Sequence, residues 1–123
     1  MRKLTIKSGP LCWTAVIYDT PTGRLIGQAL PLKGHANRWG EEIYFSIPVK
    51  AQLEPGASEV VSRGDLGYWP TGSAFCIFFG PTPVSHGDEV RAASPVNVFG
   101  CVEGNLDNLR QVEDGAEMVI EQG

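Results

Sequence analysis

Gly64-Asp65-Leu66-Gly67-Tyr68-Trp69-Pro70-Thr71-Gly72-Ser73-Ala74-Phe75-Cys76-Ile77-Phe78-Phe79 reads as two short apolar strands joined by a turn. Proline presets φ and glycine accepts left-handed angles, so Pro70-Thr71-Gly72 is built to reverse the chain. Leu66 to Trp69 and Ala74 to Phe79 are too short for helices and rich in the aromatic and branched side chains that suit a pleated surface. A hairpin is predicted here.

Outward from this hairpin the same punctuation recurs. Residues 3 to 7 alternate polar and apolar, Ser8-Gly9-Pro10 turns, and Leu11 to Tyr18 reads as a second strand, giving an opening hairpin. Thr20-Pro21 is a helix N-cap with proline at the first helical position. Leu25, Ile26, Ala29 and Leu30 form a stripe at helical spacing that Pro31 ends. Gly23 and Gly27 each cost this helix about 1 kcal/mol relative to alanine, so it depends on tertiary packing. Gly34 to Gly40 reads as irregular and Glu41 to Val49 as a strand, with Pro48 at an edge or an end. Leu53 to Ser58 is a loop, Val60-Val61 a short strand, and Arg63-Gly64-Asp65 a turn. On the C-terminal side, a long loop is predicted over Gly80 to Ser94 and a strand over Val96 to Val102. A short helix capped by Asn105 follows, with Leu106, Leu109 and Val112 on one face. Asp114-Gly115 turns into a closing strand, Ala116 to Ile120.

The tally is about eight strands and two short helices, with no repeat and no linker. Residues 1–123 are therefore expected to form a single, mainly β domain, either a sandwich or a closed barrel. With 42% hydrophobic and 20% charged residues the chain is ordinary globular material rather than disordered. The net charge of −4 and the absence of a basic run exclude an electrostatic footprint for nucleic acid. No apolar stretch nears the roughly 20 residues of a membrane span. The N-terminus alternates and lacks the apolar core of a signal peptide, which points to the cytoplasm.

Cys12, Cys76 and Cys101 each sit in an apolar run, without a CxxC or a histidine at ligand spacing. Free thiols are expected, and neither a metal nor a cofactor. Adjacent Glu41 and Glu42 point to opposite faces of a strand, so they cannot form a close carboxylate dyad; one is solvated, the other free to enter a cleft or cap an amide. Ser73, His86 and Asp65 lack a nucleophile elbow, and Gly80-Pro81-Thr82-Pro83 lacks the features of a phosphate loop. Tyr44, Phe45, Trp69, Phe75, Phe78 and Phe79 divide between interior and surface. No catalytic residue emerges.

A resemblance sharpens the reading. Gly64 to Pro70 and Gly72-Ser73-Ala74-Phe75-Cys76-Ile77 resemble the cyclophilin segment from Gly-x-Leu-Ser-Met-Ala-Asn to Gly-Ser-Gln-Phe-Phe-Ile. Val96 to Gly104 is similar to Val-Val-Phe-Gly-x-Val-x-x-Gly. Trp39-Gly40-Glu41-Glu42-Ile43-Tyr44-Phe45-Ser46-Ile47-Pro48-Val49, Gly64 to Pro70 and Phe78-Phe79-Gly80-Pro81-Thr82-Pro83 look like signatures of a prokaryotic family of cyclophilin-like proteins without assigned activity. The resemblance implies a closed, eight-stranded barrel capped by two helices. It also implies a groove on the strand that carries the isomerase arginine in cyclophilins, where Ser46 stands instead. Ala74 replaces the expected glutamine, and Tyr68-Trp69 the Ala-Asn of the substrate loop.

The expected site is a groove walled by Phe45, Trp69 and Phe75, with Glu42 and Tyr44 as further ligand-binding residues, holding a small molecule or peptide without catalysis. The alternatives are a prolyl isomerase with a non-standard site, served by Arg38 or Arg63, and an enzyme, or enzyme subunit, that processes small amides. An arginine facing the groove favours the isomerase; a narrow cavity with Glu41 or Glu42 at its floor favours a small ligand. Ligand identity, biological process and oligomeric state are not encoded in any local pattern.

Overall fold

The computed structural model describes residues 1–123. Ten strands, one α-helix and two 3₁₀ turns follow one another. The strands are β1 (Arg2–Ser8), β2 (Leu11–Ile17), β3 (Leu32–His35), β4 (Asn37–Arg38), β5 (Glu42–Ser46), β6 (Ser58–Val61), β7 (Asp65–Trp69), β8 (Ala74–Phe78), β9 (Val90–Val102) and β10 (Glu117–Gln122). Helix α1 spans Pro21–Ala29. The 3₁₀ turns are Pro70–Gly72, between β7 and β8, and Asp107–Gln111.

All ladders are antiparallel, in the order β3-β10-β1-β2-β9-β7-β8-β5-β4, with β6 added to β9. The architecture is mainly β, as predicted, but two features differ from a closed barrel of about eight strands. The segment expected to be irregular, Gly34 to Gly40, supplies the second half of β3 and all of β4. The two end strands of the path are not hydrogen-bonded to each other; they are successive parts of one run of chain. Leu32–His35 pairs with β10, Asn37–Arg38 pairs with β5, and Ala36 makes the change of partner, its N–H donating to Ala116 and its carbonyl accepting from Gly115, both at 2.7 Å. Neighbouring parts of one extended run cannot lie side by side, so covalent continuity stands where a ladder would be needed.

The helix starts as its sequence dictates. Thr20 Oγ1 accepts from the Gly23 N–H at 3.0 Å and Pro21 occupies the first turn. Gly23 is needed for a close approach, because a Cβ there would lie 2.2 Å from the Tyr18 carbonyl oxygen. The second predicted helix is a five-residue 3₁₀ segment, too short to develop an α-helical ladder; the Asn105 side chain accepts from the Asp107 N–H at 2.8 Å.

Strand alternation sorts the side chains. Ile43, Phe45 and Ile47 from β5 and its end, Leu66 and Tyr68 from β7, and Phe75, Ile77 and Phe79 from β8 and its end enter a core of 24 buried residues. Their alternates Ala74, Cys76 and Phe78 enter a second cluster on the opposite face, with Val90, Ala92 and Val96. That second face explains why the long loop is shorter than predicted. β9 begins at Val90, because Val90, Arg91 and Val96 pair with β6 before the strand turns to pair with β7 from Asn97 to Cys101. Pro95, which cannot donate to a ladder, sits at the change of partner.

A buried polar knot holds this arrangement against α1. Asn97 Oδ1 accepts from the Glu54 N–H at 2.8 Å, and its amide donates to Thr22 Oγ1 at 3.0 Å and to the Gln52 carbonyl at 2.8 Å. Glu54 in turn accepts from the Thr22 N–H at 3.0 Å, and from its hydroxyl.

The two ends of the sheet meet where Gly34 of β3 lies over Phe45 of β5, a Cβ at position 34 falling 2.6 Å from the ring. Gly34→Ala is predicted to destabilise the protein by about 1–3 kcal/mol through overpacking. Combined with Phe45→Leu, it should cost at least about 0.5 kcal/mol less than the two single changes summed. Denaturant unfolding of the four proteins measures this; simple additivity would show that the seam is not packed as described.

Candidate functional site

The second apolar face is incompletely filled, and the gap is a cavity of about 250 Å³. Glu42 and Tyr44 reach it from β5, pointing away from the core because Ile43 and Phe45 point into it. Trp69 comes from the end of β7, Trp39 from the turn before β5, and Ala92, Ala93 and Val96 from β9. The Trp39 N–H donates to the Glu42 carbonyl at 3.0 Å, which ties that turn to the strand. Tyr44 and Trp69 stand nearly perpendicular, their rings 6.2 Å apart at 76°. The Trp69 indole N–H donates to Ser94 Oγ at 2.6 Å, so its polar edge is anchored on β9.

Glu42 is the polar element of this cavity. It is 5% exposed, and its Oε1 has no hydrogen-bond partner. Burial disfavours the charged form and pushes its carboxyl up to about 7, against a smaller opposing pull from the Cys76 thiol. Cys76 itself is raised well above the usual thiol range, first by burial and then by the neighbouring Glu42 charge. As a thiol rather than a thiolate it is no nucleophile.

Two other surface depressions are larger, about 350 Å³ beside α1 and about 480 Å³ beside the β1–β2 turn. Both are lined mainly by polar residues, and neither contains a buried unpartnered group.

Of the five sequence-derived site residues, Glu42, Tyr44 and Trp69 are brought together at this cavity. Phe45 and Phe75 are placed elsewhere. They stack at 5.3 Å and 16° inside the main core, where Phe75 also meets Phe99 edge-on at 5.2 Å. The parity of β5 decides this: residues 42 and 44 share one face and 45 the other, while Phe75 pairs directly with Phe45 on the adjacent strand. Trp39 and Val96 each open a stretch that carries the family resemblance, but nothing in those stretches marks them for a site, and Ala92 and Ala93 carry no motif. Trp39 was legible as an aromatic near β5; the alanines fell in a segment predicted to be loop.

Neither candidate arginine faces the cavity. Arg38 donates to the carbonyls of Gly40, Arg110 and Val112, and its guanidinium lies 5.2 Å over the Phe79 ring. Arg63 donates to the Phe79 carbonyl at 2.8 Å and pairs with Asp107. Ser46 is exposed and donates to the Gly72 carbonyl at 3.1 Å. Glu41 points away from its neighbour and pairs with Arg110 at 2.6 Å.

An antiparallel sheet with a main core on one face, and on the other a small aromatic cavity around a carboxyl group, defines a mainly β protein with a ligand-sized recess. The cyclophilin-like family model matches residues 2–121, and the chain belongs to that family. It is similar over 99% of its length, with 40% identity and a TM-score of 0.84, to the solution structure of the hypothetical protein AF2241 from Archaeoglobus fulgidus, of which it covers 95%. It also shares its fold, at 12% identity and a TM-score of 0.70, with McbB, whose structure was solved in complex with tryptophan. There 97% of this chain aligns with 44% of the other. No curated protein sequence matches it. No helix is long and apolar enough to cross a membrane.

The raised Glu42 carboxyl has a measurable consequence. Its folded-state value of about 7 exceeds the ordinary 4.5, so ionisation opposes folding. The penalty is absent below about pH 4.5, grows as pH rises, and is complete above pH 7. The gap between 4.5 and about 7, at about 1.4 kcal/mol per pH unit, amounts to about 3 kcal/mol as an upper bound. Glu42→Gln should therefore unfold like the wild type near pH 4 and be progressively more stable from pH 5 to 8. Thermal melts across that range check this, and a difference independent of pH would refute the shift.

Proposed function

We propose that this protein is a binding domain whose cavity between β5, β7, β8 and β9 takes up a small, largely apolar molecule presenting one polar group to Glu42, and does not transform it. The observation that carries this reading is the unpartnered Oε1 of a buried carboxyl inside an otherwise apolar recess. A buried acceptor without a partner costs about 1–3 kcal/mol, more if charged, and a ligand that supplies a donor recovers that loss. At about 250 Å³ the recess falls below the roughly 300–1,000 Å³ of drug-sized sites, which favours a compact molecule over an extended peptide.

The isomerase reading needs a cation at the substrate's proline, and none of the seven lining residues carries one. The small-amide reading keeps one specific support: a carboxyl near neutrality can both donate and accept a proton. It lacks a nucleophile, because Cys76 is held as a buried thiol. McbB binds tryptophan, but that likeness is one of fold, and the proposal rests on the cavity's own chemistry. With Leu32–Arg38 as its seam, the sheet serves as a barrel and residues 1–123 as one binding unit. Three unpaired thiols, Cys12 among them exposed, support a reducing cytoplasmic setting.

Two measurements test the proposal. Single-ring amines, amides and ureas, screened by NMR, should include ligands that shift the indole N–H signals of Trp39 and Trp69. Ala93→Trp, at an exposed rim position, should abolish those shifts while leaving the fold intact. Ligands that shift only residues remote from the cavity would refute the site. In a proline-isomerisation assay on an Ala-Pro-Phe peptide the wild type should not exceed the uncatalysed rate, on the scale of tens to hundreds of seconds. Catalysis lost in Arg38→Ala or Arg63→Ala would restore the isomerase reading.

A further inference from the structure

The chemistry of the cavity narrows the ligand further, an inference that rests on the binding reading above. We propose that the occupant carries a positive charge on a compact, partly apolar head, a methylated ammonium or a protonated amine, seated between the rings of Trp39, Tyr44 and Trp69 with Glu42 as its counter-ion.

Three observations converge on it. The first is the wall. Three of the seven lining residues are aromatic: Tyr44 and Trp69, packed edge-to-face with centroids 6.2 Å apart, and Trp39 on the same recess. Aromatic faces carry the negative part of the ring quadrupole and attract a cation within about 6 Å of the centroid, most strongly where water is excluded. The second is the carboxyl. Glu42 is 5% exposed with Oε1 unpartnered, and no lysine, arginine or histidine lines the recess. The charge that would complete it is missing from the protein. The third is the remainder of the surface: Ala92, Ala93 and Val96 are small and apolar, and suit the methyl groups of an alkylated head rather than a strongly hydrated primary ammonium.

A neutral N–H donor would satisfy Oε1 but leave an ionised carboxylate in an apolar surrounding, whereas a cation neutralises it. Binding of a cation therefore draws Glu42 into its charged form. The titratable groups facing Glu42 are the phenol of Tyr44 on its own strand and the thiol of Cys76 from β8. β7 and β9 present Trp69, Ala92, Ala93 and Val96, none of which titrates. Cys76 keeps its proton, because burial raises its thiol well above the usual range. Glu42 is thus the group that sets the pH dependence.

The probes are choline and its uncharged isostere 3,3-dimethylbutan-1-ol, titrated calorimetrically into the full chain at pH 6 and pH 8. Choline is expected to bind at least tenfold more tightly than the isostere at pH 8, and to gain roughly tenfold between pH 6 and 8 as Glu42 ionises around 7. Glu42→Gln, which is expected to fold at least as well as the wild type, should lose both the preference and the pH dependence. Trp69→Leu should weaken choline more than the isostere. Equal, pH-independent binding of the two probes, displaced by Ala93→Trp, would overturn the charge inference and leave the cavity reading standing. Absence of binding by both probes to folded protein would overturn the charge inference, and if the ring-compound screen also left Trp39 and Trp69 unmoved the cavity reading would fail with it.

Discussion

The burial of β8 on both faces is the constraint on which the rest of this structure depends. All five residues from Ala74 to Phe78 are buried, which a one-sided sheet cannot achieve. The inward set, Phe75 and Ile77, is covered by the main core. The outward set, Ala74, Cys76 and Phe78, needs a second cover, and the chain provides it by extending β9 back over the sheet and pairing it with β6. The thirteen-residue length of β9 and its change of partner near Pro95 both follow from that need.

This second cover is small. Six buried residues form it, against 24 in the main core, and its four neighbours Tyr44, Val61, Trp69 and Val98 are only partly buried. A cover of that size, finished with alanines at 92 and 93, does not fill the space above Glu42. The cavity and the unsatisfied carboxyl thus have one origin. Packing that would be poor as a core is suited to a recess, since an unfilled apolar volume next to one polar group is what a small ligand requires. The Asn97 knot matters here because it fixes β9 to α1 and to the 52–54 segment, holding one wall of the recess in place.

The cations of the neighbouring surface are committed elsewhere. Arg38 spends its guanidinium on three backbone carbonyls and the face of Phe79, binding the 3₁₀ turn at 107–111 to β4, and Arg110 closes the same junction onto Glu41. These contacts hold the seam of the sheet. They also leave the electrostatics of the cavity to a single acid, which separates this protein from a groove built around a guanidinium.

Sequence alone determined the local elements whose signals are short-ranged: the opening hairpin, the Thr20-Pro21 helix start and the hairpin around Pro70-Thr71-Gly72. It also carried the family, through the resemblance over Gly64 to Val112 and the stretches Trp39 to Val49 and Phe78 to Pro83. It placed Glu42, Tyr44 and Trp69 among the site candidates because one of two adjacent glutamates is free to enter a cleft and strand aromatics divide between interior and surface. What it left open was parity. One residue of register separates Tyr44 from Phe45, and only the pairing of β5 with β8 decides which of them faces the core. Likewise β3, β4 and the start of β9 have little strand signal of their own, and they became strands because unpaired neighbours offered them ladders. The cavity wall from β9 is tertiary in the same sense: alanines at 92 and 93 say nothing locally, and become functional only when a strand predicted to begin at Val96 is drawn back to Val90 to bury the far side of β8.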